Sequence, residues 1–438
     1  MTNPMRVIDL RGLAITRELV EREIPRARID VSTAAESIAP LIEAVRTTGA
    51  KALKEAAQKF DGIDIEPIKV TKAELDLALA NLSAELRSAL EISIERVRAV
   101  AKANLPTNTK TQLADGAFVS QRWTAVDSVG LYVPGGKAVY PSSVVMNVVP
   151  AQVAGVKSIS IATPGQKDFA GRPNPTVLAT AALLGVRDVY VIGGPAAVAA
   201  FTYGIFEIGL NPVDVVTGPG NVYVAAAKRM LRGLIGIDSE AGPTEIMVIA
   251  DSSARAKFVA ADLISQAEHD ELAAAVLVTD SEDFVAQVQE EIAFQSAQTA
   301  NHERVSEALN GQQSSIVLVS SLKDAAAIAD FYATEHLSLQ TEENNLLSEL
   351  IQNAGAIFLG PYSPVSLGDY LAGSNHVLPT GRQARFSAGL GVHTFLKAQQ
   401  LVEYSQSALS EVANSVIAIA DQEGLPAHGD AIKARSQT

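Results

Sequence analysis

The run SISIATPGQKDFAGRPNPTVLATAALLGVRDVYVIGG, residues 158–194, decides the fold. Its ends, SISIAT (158–163) and VYVIGG (189–194), are short β-branched runs, and NPTVLATAALLG between them is an Ala- and Leu-rich helix of crossover length. Strand, helix and strand in that order, the strands short and β-branched, mark a βαβ unit in a parallel sheet. VDVVTG (213–218) adds the next strand after the helical AAVAAFTYG. Beyond the turn-like AGPTE the alternation restarts with IMVIAD (246–251), AAVLVTD (274–280), SIVLVSS (315–321) and AIFLG (356–360), helices lying between. The sequence therefore predicts an α/β protein with two Rossmann-like parallel-sheet domains. No GxGxxG occurs, so the usual dinucleotide fingerprint is absent.

Outward from these sheets the period changes. From Val31 to about Pro106, apolar residues recur at three- and four-residue steps, which predicts helices. Ser32 with Glu36, and Thr71 followed by Glu74, read as helix starts, the second with capping-box spacing. Residues 1–26 form a small polar N-terminal arm without a core of its own. From about Val392 the pattern reads as helical again, through LVEYSQSALSEVANSVIAIADQEGL, and residues 391–438 form a helical C-terminal tail that must pack on something else.

At 438 residues the chain is about three times a typical ~150-residue domain, so two or more domains are expected. A formal charge of −14 opposes binding to nucleic acid or an anionic membrane surface. The absence of cysteine excludes disulfides, cysteine-ligated zinc, iron–sulfur clusters and a thiol nucleophile. The N-terminus mixes charges and lacks an apolar signal core, and no stretch approaches the ~20 apolar residues of a membrane span. A cytoplasmic, multidomain enzyme is the expectation.

Three glycine-rich turns stand where strands should end: YVPGGKAVYP (132–141), GGPAAVAA (193–200) and TGPGNVYVAAAK (217–228). Each either meets a phosphate through backbone N–H groups at a helix start or is a tight turn and no more. Of the six histidines, His302 sits among charges as a solvated helix residue, and His393, without an orienting polar neighbour, reads as structural. Gln266 and His269, three apart on an expected helix, share a face that suits one ion or a polar helix end. Asp369 precedes His376 by seven residues in a Gly- and Ser-rich loop, and EGLPAH sets Glu423 and His428 around a proline turn. Without cysteine a divalent metal needs N and O ligands, and Gln266, His269, Asp369 and His428 would supply four. Glu335 and His336 are adjacent, so their side chains leave the backbone in different directions. The pair reads either as a general base with a proton acceptor or as a capped helix end.

The run IDSEAGPTEIMVIADSSARAKFVAADLISQAEH, residues 237–269, resembles the long signature of histidinol dehydrogenases. GLYVPGG, YPSSVVMNVVPAQVAGV, GPGN, TEHLSL, SPVSLGDYLAGSNHVLPTG and EGLPAH stand in that family's order, so the resemblance covers nearly the whole chain. It implies the oxidation of L-histidinol to L-histidine with two NAD. It implies that Gln266, His269, Asp369 and His428 hold one zinc ion per subunit, for which manganese or cobalt could substitute, and that Glu335 and His336 are the acid–base pair. Thr244, where many relatives carry Ser, and Glu423 would hold the substrate with the metal ligands and His336, His376 standing close by. Tyr132 and Asn221 would contact NAD. Relatives commonly read GGAQA at the second glycine turn, the Gln touching NAD; here Ala196 takes that place, a loss of about 0.5–1.5 kcal/mol for one exposed hydrogen bond.

The implied organisation is an α/β domain of residues 27–129 and 246–390 with the metal and acid–base residues, an NAD-binding domain of residues 130–245, and a tail exchanged in a homodimer whose sites are shared between subunits. Three rivals stay open: a sister dehydrogenase acting on another diol such as a sulfonated propanediol, a zinc hydrolase using Glu335 and a metal-bound water, and a non-catalytic metal or nucleotide binder.

Overall fold

The computed structural model describes residues 5–27, 31–135 and 139–436. Two parallel sheets organise it, as the alternation of β-branched runs and helices predicts. One has five strands in the order Asp188–Val191, Ser158–Thr163, Ser128–Tyr132, Val215–Thr217, Gly236–Ile237. The other has six, in the order Val7–Asp9, Ser315–Leu318, Ala274–Thr279, Glu245–Ala250, His336–Gln340, Ala356–Leu359. Every pairing in both is parallel.

The six-stranded sheet shows why its strands read as unbroken apolar runs. Along Glu245–Ala250 every residue is buried. Ile246, Val248 and Ala250 enter one apolar cluster, and Met247 and Ile249 enter another. Alternate side chains point to opposite faces and helices cover both, so both faces are largely apolar.

The helices Val31–Thr48, Ala50–Ala56, Lys72–Ala80 and Ala84–Ala103 occupy the stretch expected to be helical. Thr71 caps the third of these with a reciprocal Glu74 contact, whereas Ser32 lies inside its helix. Ile38, Leu53, Leu75 and Val97 share one apolar cluster with Val129, Ile161 and Val216. These helices thus pack on the five-stranded sheet. Helical periodicity marks a buried face and does not say which sheet buries it.

The N-terminal arm is also tied in. Val7–Asp9 is an edge strand paired with Ser315–Leu318, and Leu10, Leu19, Val20 and Ile24 are buried against the six-stranded sheet.

One segment departs from its expected structure. Leu396–Tyr404, read as helical, is a nine-residue strand. It pairs antiparallel with Ala117–Ala125, which in turn pairs with Thr109–Ala114 in a third sheet. LKAQQLVEY is rich in good helix formers, and a pairing across more than 270 positions overrides that local preference. Beyond it, Gln406–Gln422 buries only Ala408, Ala413 and Ala420 and packs with Pro426–Ser436. Among the described residues no helix is long and apolar enough to cross a membrane.

Candidate active site

Open parallel sheets usually bind ligands at the carboxyl ends of their strands. The six-stranded sheet places its candidate chemistry at the opposite edge. Glu335 directly precedes the strand His336–Gln340, and Thr244 directly precedes Glu245–Ala250, its parallel neighbour. The helix Leu322–Tyr332 stops at Ala333, which is left-handed at φ 52°, so the chain turns sharply into TEH. Glu335 is therefore no helix cap. Gly355 lies alongside; a Cβ there would stand 2.5 Å from the Glu335 carbonyl oxygen, so only glycine lets the adjoining strand approach.

Glu335 and His336 are both buried. Glu335 Oε2 accepts the Thr244 hydroxyl at 2.6 Å and the Glu245 backbone N–H at 2.9 Å, and it stands 3.5 Å from His336 Nδ1. Although their backbones diverge, the two side chains thus converge on Glu245. Burial pushes the Glu335 carboxyl above the usual carboxylate range, partly offset by His336 and by the Thr244 and Glu245 donors. His336 Nδ1 lies 3.0 Å from the Glu245 carbonyl. A carbonyl only accepts, so the ring proton sits on Nδ1 and Nε2 is left as a proton acceptor.

Sequence reasoning missed Glu245 and Arg26. Glu245 is 3% exposed, and its carboxylate pairs with the Arg26 guanidinium. Arg26 also lies 3.8 Å over the Tyr332 ring and donates to the Tyr332 carbonyl. Burial raises the Glu245 carboxyl, and Arg26 opposes that rise. The signal was an acid heading the all-apolar run IMVIA, a place a buried strand admits only with a partner. Arg26→Gln is expected to destabilise the fold by about 3–5 kcal/mol, because it strands a buried carboxylate. Urea unfolding measures this, and a loss below about 1 kcal/mol would remove the pair's structural role.

A cleft of 770 Å³ is lined by Gln266, His269 and Asp369 together with Tyr140, Ser142 and Arg304. Gln266 stands in the last turn of Ala256–Ala267, but that helix ends before His269, which is exposed and continues the turn through its N–H to the Gln266 carbonyl at 3.2 Å. Gln266 Nε2 donates to Thr244 Oγ1, while Oε1 is buried without a partner. Asp369 comes from the short helix Val365–Tyr370. His376 Nδ1 donates to the Asp369 carbonyl at 3.1 Å, and Nε2, 3.2 Å from Ser143 Oγ, accepts that hydroxyl. Burial lowers the His376 pKa, which favours the neutral ring, and the nearby Asp369 opposes it.

Within this chain Glu423 and His428 do not line the cleft; both are exposed on the C-terminal helices. Among the described residues no three His, Asp or Glu cluster closely enough to hold a metal. The cleft offers one His, one Asp, a Gln and Glu268, whose Oε1 accepts from Asn301 Nδ2.

The glycine turns follow the carboxyl ends of three strands of the other sheet. Residues 136–138 of the first lie outside the described residues. At the second, the buried Tyr132 hydroxyl accepts the Gly194 N–H at 3.0 Å, doing for the helix Gly194–Tyr203 what a cap would do. Burial pushes the Tyr132 pKa up to about 12. Ala196 is buried in the first turn of that helix. At the third, Asn221 caps Val222–Leu231 by accepting the Tyr223 and Val224 N–H groups. Gly218 has φ 116°, and a Cβ there would lie 2.0 Å from the Tyr132 carbonyl oxygen. The buried Lys228–Asp238 pair holds both polar groups of Gly218. The second and third turns are therefore fixed by internal hydrogen bonds. His302 is exposed at a helix start, as expected, and His393 is exposed too.

A sequence model described as histidinol dehydrogenase matches residues 24–436. Histidinol dehydrogenase of Leifsonia xyli is 54% identical over 431 residues, 98% of this chain and 99% of that one. That of Corynebacterium diphtheriae is 51% identical over 437 residues, 98% and 97%. The crystal structure of histidinol dehydrogenase from Elizabethkingia anophelis superposes with a TM-score of 0.91 at 31% identity, covering 98% of both chains. On the extent of the match and the likeness of fold, this chain belongs to the histidinol dehydrogenase family.

Proposed function

We propose that the chain oxidises L-histidinol to L-histidine through L-histidinaldehyde, a four-electron reaction with two NAD that completes histidine biosynthesis. The observation that carries this reading is the hydrogen-bonded line from Gln266 through Thr244 to Glu335, which ties a buried base to a cleft with N and O donors. The buried, unpartnered Gln266 Oε1 and the neighbouring His269 and Asp369 suit a divalent metal. Those three, with His428 as a fourth, would hold one zinc ion per subunit, which would grip the imidazole and amino nitrogens of histidinol and orient them.

His336, with its proton on Nδ1, takes the alcohol proton at Nε2 as each hydride leaves for NAD. With no cysteine to trap the aldehyde, water adds to it and Glu335 accepts the water's proton. Thr244, Glu423 and His376 complete the substrate site, and Tyr132 and Asn221 stand at the turns that would face NAD. Arg304, in the cleft wall, is turned to the Glu268 carbonyl and lies 4.0 Å from Glu271, which disfavours an anionic substrate.

Glu423 and His428 reach such a site only from another subunit, because in their own they are exposed on helices that bury little. The chain is thus proposed to act as a homodimer with shared sites. Full turnover is expected to give two NADH per histidinol, read as NADH absorbance against histidine formed. One NADH with accumulated aldehyde would overturn the reading.

A further inference from the structure

We infer that Thr244 is a positioning residue that fixes the polarity of the Gln266 amide, so that its oxygen, and not its nitrogen, is presented to the metal. This rests on the proposed reading of Gln266 as a metal ligand and adds to the substrate contact given to Thr244 above.

The argument is one of donors and acceptors. Glu335 Oε2 accepts the Glu245 N–H at 2.9 Å, and a backbone N–H can only donate, so Oε2 is the unprotonated oxygen. The hydroxyl 2.6 Å away must then give Oε2 its one proton. Having spent that proton, Thr244 Oγ1 can meet the Gln266 amide only as an acceptor, so the amide turns its NH₂ to Thr244. Oε1 is left buried and without a partner in a residue 1% exposed. An amide nitrogen offers a metal no lone pair, whereas the carbonyl oxygen does. A backbone N–H thus sets, through a carboxylate and a hydroxyl, which end of a glutamine faces the cleft. Serine, with the same hydroxyl, preserves the chain; valine, with Thr's shape, breaks it.

The test is competition of Co²⁺ against a chelator in the full-length, metal-stripped protein, with the Co²⁺ visible absorption band as the second readout. Losing an outer hydrogen bond to a metal ligand typically costs about 10–100-fold in affinity. Thr244→Val is therefore expected to bind Co²⁺ about tenfold or more weakly with an altered band, and Thr244→Ser to restore both. Should the valine variant fail to fold, Thr244→Ala, which lacks the hydroxyl and adds no bulk, gives the same reading. Affinity and band within about threefold of wild type in the hydroxyl-free variant would overturn the inference. Failure of wild type itself to take up Co²⁺ would overturn the metal reading, and this inference with it, and is seen before any variant is made.

Discussion

Glu335→Gln is expected to slow oxidation of the aldehyde by about 10²–10⁴-fold while the first oxidation changes by less than about tenfold. The substitution keeps the shape, and the new amide oxygen can still accept from the Thr244 hydroxyl and the Glu245 N–H. It removes only the capacity to take a proton. On the proposed reading the alcohol step draws on His336, so only the step that adds water should suffer. Burial gives the same residue a pH signature. Its carboxyl titrates above the usual carboxylate range, and the base form is lost as pH falls through that raised value. In the wild type, aldehyde oxidation should therefore fall off at a pH where an exposed glutamate would still be ionised. Glu335→Gln should lack that acidic limb. Stopped-flow NADH formation, started separately from histidinol and from the aldehyde across pH, measures both effects. Equal slowing of the two halves, or an unchanged acidic limb, would assign the water-activating role elsewhere.

The central strands of both parallel sheets were legible because they are largely buried on both faces and rich in apolar, β-branched residues, whereas the short edge strands Val7–Asp9 and Gly236–Ile237 are partly exposed and carry no such signal. Leu396–Tyr404 was not, because it is exposed almost throughout, is rich in helix formers and owes its extended form to a partner strand far away in the chain. In the candidate site, Glu335, His336, Gln266, His269 and Asp369 were readable from residue type and motif. Their geometry was not. Adjacency says that Glu335 and His336 diverge, yet Glu245 draws both side chains back together through its N–H and carbonyl. Arg26 and Glu245 escaped notice because an ion pair between an arm and a distant strand leaves no spacing in the sequence. Tyr132 and Asn221, read as NAD contacts, are seen making local bonds that hold the glycine turns, a role that residue type alone does not separate from ligand binding.

The placement of Glu423 and His428 sets the second large effect. The cleft holds Gln266, His269 and Asp369, while the tail carrying the other two residues buries only three alanines of its first helix and leaves Ile419 61% exposed. A tail so poorly covered, bearing residues the cleft lacks, fits donation to a second copy of the chain. His428→Ala and His336→Ala should each be inactive alone. When the two are unfolded together, or exchanged slowly at equal amounts, activity should return. In a mixed dimer, one site joins a wild-type His336 to a wild-type tail and the other combines both lesions. Random pairing makes about half the dimers mixed, so about a quarter of all sites are whole and activity should approach about a quarter of wild type. Native mass spectrometry verifies the mixed dimers independently of activity. If they form and the mixture stays inactive, each subunit completes its own site, and the tail must fold back onto the cleft of its own chain.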